Sequence, residues 1–408
     1  MVEVDSGWAA NSVNTVVFRK NSIVTHGRTQ YIAYYNQEGF VVIGKRRGDR
    51  SWQLKTTRYR GKVTDAHNSI SIMVDDAGYL HMAWDHHNDK LNYCKSIAPG
   101  SLELGEKITM TGLNESSVSY PEFYKLRNGK LLFLYRDGQS GGGNLVVNLY
   151  DLRKGKWEQL HANLIDGEGR RNAYWQACVD NKGQVHISWV WRETPDVASN
   201  HDLGYARSDD DGLTWKRSNG SQYQLPMTAG SAEYAAMIPQ RSELINQTSM
   251  TTDEQDRPLI AGYWKRKEDA APQYRVVYFT GNEWKEIVLG FRTTDFSLSG
   301  AGTKRIPISR PQLIAWHQGK RNCFAVVFRD EERGNRPSAA ICTNIENPRW
   351  KVVDLSAMNL GSWEPSYDTE LWRKKNTLNL FLQGTDQADA EGKSSLPAQM
   401  ISVLEWKP

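Results

Sequence analysis

The 408-residue sequence predicts an all-β protein in which seven similar sheets form a ring, and three observations lead to this fold class. Short apolar or aromatic runs recur along the whole chain. Most of these runs follow turns rich in Gly, Asn and Asp, and a Trp usually closes each unit. Helical periodicity never persists beyond a few residues, whereas short alternating runs between turns dominate, as is typical of β-strands.

The repeat unit resembles one blade of a β-propeller. Seven units begin near residues 22, 67, 118, 172, 245, 308 and 365. Their spacing of roughly 45 to 73 residues fits a four-stranded blade with loop insertions. The repeated strand is recognised in His81–Trp84, Leu132–Tyr135, His186–Trp189, Ile260–Tyr263 and Ala325–Phe328. We therefore predict a single domain over residues 1–408, a seven-bladed β-propeller with four-stranded blades.

Two further segments support the propeller. Val13–Phe18 and Met400–Trp406 are both predicted strands, and pairing of N- and C-terminal strands in one blade would close the ring. Ser208–Trp215 matches the pattern S-x-D-x-G-x-x-W, the Asp box that holds a β-hairpin turn in sialidase-like propellers. This motif indicates fold and not chemistry. A sialidase would also need an arginine triad and a Tyr/Glu pair, which the box does not supply.

Composition and charge exclude several classes of protein. The net charge is only +4, and the chain has no Lys/Arg run of the kind that binds nucleic acid. No apolar stretch approaches the ~18 residues of a membrane span. The four Cys have no zinc-ligand spacing, and the adjacent Asp85, His86 and His87 are weak evidence for a metal. We expect a monomer without metal or cofactor.

The propeller topology places particular polar residues at one mouth of the central channel. The innermost strand of a blade starts, and the second strand ends, at the same rim. These positions carry His67, His87, Tyr120, Arg136, Arg192, Asn246, Gln247 and Lys265. Such a basic and aromatic cluster suits an anionic sugar ligand. His26 instead falls at the turn between the first two strands of its unit, and is therefore expected at the opposite rim.

Several of these segments resemble one known family. The resemblance is most specific in Asp65–Ile72 and Asp76–His87, and it continues through Ser119–Pro121, Tyr135–Gly138 and Asn246–Ser249. The chain is similar here to the BNR-repeat propeller enzymes that include ulvan lyases, rhamnose–glucuronate lyases and related α-L-rhamnosidases. The resemblance implies cleavage of α-L-rhamnosyl-(1→4)-D-glucuronate bonds in an acidic polysaccharide, and a periplasmic or secreted protein.

For the lyases of this family, the resemblance also implies roles for individual residues. His67 and His87 resemble the family's histidine pair, and Tyr120 and Arg136 resemble its tyrosine and arginine. His and Tyr would then act as base and acid while the arginine holds the uronate carboxylate. The chemistry agrees, because the proton on C5 is very weakly acidic until the neighbouring carboxylate is neutralised. Arg192 is expected to add a second substrate contact, together with Asn246, Gln247 and Lys265.

Two alternatives remain open in the sequence. The related rhamnosidases hydrolyse the same bond through one histidine on the opposite face, and His26 in Ile23–Arg28 resembles that residue. A propeller with an aromatic rim could also bind glycans without cleaving them. The sequence thus predicts a lyase with a site around His67, His87, Tyr120 and Arg136, a hydrolase with a site at His26, or a lectin.

Overall fold

The computed structural model, which describes residues 1–48 and 50–408, confirms the seven-bladed β-propeller. Its seven sheets are antiparallel, and most innermost strands contact those of the neighbouring blades around a central channel. The strands of blades 1 to 3 are Ile23–His26, Thr29–Tyr35, Phe40–Arg47 and Gln53–Arg60; Ile70–Val74, Leu80–Trp84 and Tyr93–Lys95; and Val118–Lys125, Leu131–Asp137, Asn144–Asp151 and Lys156–His161.

The remaining blades continue the ring. The strands of blades 4 to 7 are Asn172–Val179, Val185–Arg192, Asn200–Ser208 and Glu233–Ala236; Ser249–Thr252, Pro258–Trp264, Gln273–Phe279 and Trp284–Val288; Gln312–Gln318, Arg321–Phe328, Ser338–Cys342 and Trp350–Asp354; and Leu378–Gln383, Gln399–Trp406 and Val2–Gly7. The short helices are Ser12–Asn14, Val197–Ser199 and Glu331–Arg333, which are 3-10 helices, and the α-helix Thr369–Lys375.

Three blades depart from four regular strands. In blade 2 the fourth position is only a bridge between Ser96 and Leu104, and in blade 7 the innermost position is a bridge between Tyr367 and Leu380. Blade 3 gains a fifth strand, because His87–Asp89 leaves blade 2 and pairs with the start of Val118–Lys125. This exchange brings His87 beside Ser119, which places residues of two blades at one rim.

The ring is closed by its terminal strands, but one predicted partner was wrong. Val2–Gly7, and not Val13–Phe18, pairs with Gln399–Trp406. Asn11 begins a 3-10 turn in which its side chain accepts a hydrogen bond from the Val13 amide. The apolar residues 16–18 are buried in the channel, and Phe18 stacks on His67 with ring centroids 5.1 Å apart. Burial of a loop thus produced a pattern that resembles a strand.

The repeat is also visible in the buried polar residues. His81 and His186 occupy equivalent positions, and each contacts an aspartate and a tyrosine hydroxyl through its two ring nitrogens. Both are core histidines whose ring nitrogens are satisfied. The Asp box forms its expected turn, in which Asp210 accepts hydrogen bonds from the Thr214 amide and hydroxyl. Across the described ranges, no helix has both the length and the hydropathy needed to cross a bilayer.

Candidate active site

Strand Val118–Lys125 sets the orientation of the site, because it runs from one rim of the propeller to the other. Its first residues pair with Arg136 of the next strand and with His87. Tyr120 therefore lies at the same rim as both residues, while Lys125 lies at the opposite end. The structure thus brings together residues that the blade topology predicted to converge.

One carboxylate holds the two histidines of this rim. Asp65 Oδ1 lies 2.8 Å from His67 Nδ1, and Asp65 Oδ2 lies 2.6 Å from His87 Nδ1. The two imidazole rings stack with centroids 4.0 Å apart. Because Asp65 contacts the Nδ1 atom of both rings, the Nε2 atoms remain available for a ligand. His67 is buried, whereas the His87 side chain is 32% exposed and forms the open side of the pair.

A second carboxylate reaches His67 from a distant part of the chain. Glu391 Oε1 lies 3.3 Å from His67 Nδ1, and Thr303 donates hydrogen bonds to the same oxygen. Burial alone would lower the pKa of His67, but Asp65 and Glu391 outweigh it and raise that pKa to about 9. His67 is therefore an imidazolium at neutral pH.

Two tyrosines and two arginines form the base of the site. The Tyr120 and Tyr174 rings lie edge to face, 5.7 Å apart. The Arg136 guanidinium lies 5.0 Å from the Tyr120 ring centroid, and that of Arg192 lies 5.7 Å from the Tyr174 ring centroid. All four side chains are buried. The site therefore concentrates two positive charges around a pair of phenol groups.

The arginines separate the acidities of the two tyrosines. Burial opposes ionisation of Tyr174, but the charges of Arg136 and Arg192 overcome it and lower the pKa of Tyr174 to about 7. Burial, followed by the neighbouring Tyr174, raises the pKa of Tyr120 above its usual value. At neutral pH the pair can therefore hold one phenolate and one phenol, which is the combination that an acid–base reaction needs.

The other predicted substrate contacts differ in position. Asn246 lies in the cluster, with its Oδ1 3.4 Å from Arg192 Nη1. Gln247 is fully buried in the channel, where its amide has no hydrogen-bond partner among the described residues. Lys265 is not brought to the cluster, because its Nζ pairs with Asp295 at 2.5 Å on a neighbouring loop.

His26 lies at the opposite rim, as its turn position predicted. It begins the hairpin that joins the first two strands of blade 1, and its Nδ1 is 3.3 Å from Lys125 Nζ. Burial and then the Lys125 charge lower the pKa of His26. A cavity of about 140 Å³ opens at this mouth, and its described lining includes Lys125 and Trp372 but not His26.

The described residues contain one group with a spacing that a metal ion could use. Ligand atoms of Asp65, His67 and His87 lie within 4.8 Å of one another. In the structure, Asp65 hydrogen-bonds to both imidazole Nδ1 atoms. These contacts orient the two rings.

The prediction missed Tyr174, Asp65, Glu391 and Thr303 as site residues. Tyr174 is the counterpart of Tyr120 in the next blade, so the repeat register could have found it. Asp65 lies two residues before His67 and 22 residues before His87. Nothing in the sequence around Asp65 indicates that it is the shared hydrogen-bond partner of both histidines. Glu391 and Thr303 lie in loops between strands, outside the repeat, and only the folded chain brings them to His67.

Taken together, the fold and the site define a propeller protein with a cluster of histidines, tyrosines and arginines at one mouth, a charge pattern suited to an anionic ligand. The family model described as "BNR repeat-containing family member" matches residues 29–291, and the chain belongs to this family. A curated relative, the short isoform of an ulvan lyase from Alteromonas sp. (strain LOR), is 27% identical over 231 residues, 42% of this chain and 43% of that protein. The aligned region thus spans less than half of that relative.

Solved structures show the same fold. The crystal structure of polysaccharide lyase Uly1 aligns with a TM-score of 0.69 at 16% identity, over 95% of this chain and 90% of the other. An ulvan lyase bound to -[GlcA(1-4)Rha3S]- aligns with a TM-score of 0.65 at 14% identity, over 98% and 97%. A lectin from Burkholderia pseudomallei aligns with a TM-score of 0.55 at 11% identity, over 94% and 99%.

Proposed function

We propose that this protein is a polysaccharide lyase that cleaves α-L-rhamnosyl-(1→4)-D-glucuronate bonds by β-elimination. The observation that carries the proposal is Arg136. Its Nη1 is buried and has no hydrogen-bond partner among the described residues, although it lies in a cluster of acid–base groups. A buried, unsatisfied guanidinium nitrogen is costly unless a ligand completes it. A uronate carboxylate is such a ligand.

The carboxylate would bind between Arg136 and Arg192. Arg136 already uses its Nε and Nη2 to hold Gly138 O at 3.0 Å and Ser119 Oγ at 3.1 Å, which fixes the guanidinium plane. Its remaining nitrogen is therefore positioned before the substrate arrives. Neutralising the carboxylate stabilises the negative charge that develops on it when the C5 proton leaves. This role is that of an electrostatic stabiliser.

The tyrosine pair would transfer the protons. The Tyr174 phenolate takes the proton from C5, the C4–C5 double bond forms, and the C4–O4 bond breaks. Tyr120 gives its proton to O4 of the leaving rhamnosyl unit. In glucuronate the C5 hydrogen and O4 lie on the same face of the ring, so two adjacent phenols can reach both. Proton exchange between Tyr174 and Tyr120 then restores the starting state.

The two histidines would complete the site beside the tyrosine pair. The His67 imidazolium adds positive charge beside Tyr120, whose ring centroid lies 5.8 Å from that of His67. The more exposed His87, whose Nδ1 contacts Asp65, keeps its Nε2 available for a substrate contact. Asp65 orients both rings. Of the three residues predicted to transfer protons, Tyr120 keeps that role in this proposal, and the two histidines act through charge and substrate contact.

The comparisons support the substrate class. The curated relative is an ulvan lyase, and one structure with the same fold is bound to -[GlcA(1-4)Rha3S]-. An acidic polysaccharide also suits the two arginines and the imidazolium of the site. Because such polymers are too large to enter a cell intact, we expect this enzyme to act in the periplasm or outside the cell.

One assay distinguishes the lyase hypothesis from the hydrolase and lectin hypotheses. The protein is incubated with a rhamnosyl-α-1,4-glucuronate oligosaccharide while ultraviolet absorbance and free rhamnose are followed together. Elimination releases rhamnose and raises the absorbance, because the 4,5-unsaturated uronate is conjugated. Rhamnose without absorbance would indicate hydrolysis and direct attention to His26. Binding of an intact oligosaccharide with neither signal would indicate a lectin.

A further inference from the structure

A loop crosses the mouth of the channel beside the candidate site. The connection between blades 5 and 6, residues 289–311, returns towards blade 4 before it reaches its own next strand. There the Val197 amide donates to Gly300 O at 3.0 Å, and the Gly300 amide donates to Asp196 Oδ1 at 2.7 Å. One end of the crossing loop is therefore fixed to blade 4.

The same loop is fixed at its other end to blade 7. The Ala390 amide donates to Thr303 O at 2.7 Å, and Lys304 Nζ pairs with Asp389 at 2.9 Å. The blade 7 loop is held in turn by the N-terminal segment, where Asn11 Nδ2 donates to Gly392 O at 3.0 Å. Residues 299–305 and 389–392, which we call the strap, thus form one continuous bridge from blade 4 to blade 7.

The strap borders the candidate site directly. Glu391 belongs to it and contacts His67 Nδ1 at 3.3 Å. The cavity between the strap and the channel, lined by His67, Tyr120 and Arg192 among others, measures only about 20 Å³. This is room for about one water molecule. A sugar ring does not fit in this cavity and therefore cannot pass beneath the strap, so a substrate would approach the catalytic groups from the more exposed His87 side.

The candidate catalytic groups all lie on one side of this bridge. His67 and His87 come from blade 2, Tyr120 and Arg136 from blade 3, and Arg192 from blade 4. The opposite side of the strap is occupied by blades 5 and 6. A polysaccharide laid across the mouth would have to cross the strap to continue past His67.

We propose that the strap is a fixed wall that closes the cleft beyond His67 and restricts this enzyme to the ends of its substrate chains. The inference rests on the proposed lyase activity and adds its mode of action. A wall at one end leaves room for a terminal unit but not for chain on both sides of the scissile bond. The enzyme would then release short units from one chain end.

The size of the products tests this wall. Long rhamnose–glucuronate chains, labelled with a fluorophore at the reducing end, are sampled at early times and separated by size. We expect short unsaturated products in the ultraviolet trace from the first time point, while the fluorescent chains keep nearly their full length and little material of intermediate length appears. Intermediate fragments at low conversion would overturn the wall while leaving the lyase activity intact. Absence of any ultraviolet signal would instead refute the proposed function itself.

A disulfide tests whether the strap is fixed. A Cβ built on Gly302 lies 3.6 Å from Ala390 Cβ, within the range that disulfides require. We therefore combine Gly302→Cys with Ala390→Cys and compare the oxidised and reduced forms, with Gly302→Cys alone as the control for the altered turn. A fixed wall predicts equal rates and the same product sizes in both forms. A loss of activity of about tenfold or more on oxidation, recovered on reduction, would show that the strap must lift.

Discussion

Replacement of Arg136 by Ala tests the central claim that a guanidinium neutralises the substrate carboxylate. In the free protein Arg136 is fixed by two hydrogen bonds and keeps one buried nitrogen unpaired. It also lowers the pKa of Tyr174 through its charge. The substitution therefore removes both a ligand for the carboxylate and part of the field that produces the catalytic phenolate.

The expected loss is large. Removing one preorganised donor from a developing anion costs about 10²- to 10³-fold in kcat, or about 3–4 kcal/mol. The rise in the pKa of Tyr174 adds to this loss at neutral pH, because less phenolate is present. We therefore expect at least a thousandfold fall in kcat at pH 7, roughly 4 kcal/mol, and a smaller loss at alkaline pH.

The assay is the initial rate of absorbance increase measured from pH 6 to pH 10. Arg136→Lys is the matched control, since it keeps the charge but cannot reproduce the planar contacts, and should recover part of the activity. Circular dichroism and thermal unfolding check that the fold survives the loss of bonds to Ser119 and Gly138. Full activity of a folded Arg136→Ala protein would refute the assigned role.

Four further predictions follow from the same geometry. The pH profile of kcat/KM should be bell-shaped: activity rises near pH 7 as Tyr174 loses its proton and falls near pH 9 as His67 loses its positive charge; a flat profile would contradict both roles. Asp65→Asn should lower kcat about tenfold or more and move the alkaline limb to lower pH, whereas an unchanged limb would show that Asp65 does not hold His67 protonated. His26→Ala should change the rate less than about twofold, and a dead variant would favour the hydrolase. Asp210→Ala should lower the unfolding free energy by about 1–3 kcal/mol, measured in urea, with an unaltered rate.

The parts of this protein that repeat could be predicted from the sequence. Strand starts and turns recur with each blade, so the topology alone placed Tyr120, Arg136 and Arg192 at one mouth and His26 at the other. Here the sequence signal is strong, because each blade must bury the same faces of the same strands.

The parts outside the repeat could not be predicted in this way. Val13–Phe18 resembles a strand because residues 16–18 are buried in the channel, and only the pairing partner distinguishes a buried loop from a strand. Glu391 and Thr303 reach His67 across more than two hundred residues of sequence. Such contacts are set by closure of the ring and by inter-blade loops, which have no repeat to reveal them. Lys265 occupies a repeat position, but its ammonium group pairs with Asp295 and not with residues of the candidate site.

The repeat also explains how two similar side chains can take opposite roles. Tyr120 and Tyr174 occur in adjacent blades, and each lies beneath an arginine of its own blade. A duplicated Tyr–Arg unit therefore brings two phenols together in one buried site. Because two adjacent phenolates would repel each other, ionising one suppresses ionisation of the other. Tyr174 therefore becomes the base while Tyr120 stays the acid. The two different roles follow from placing two copies of one Tyr–Arg unit side by side.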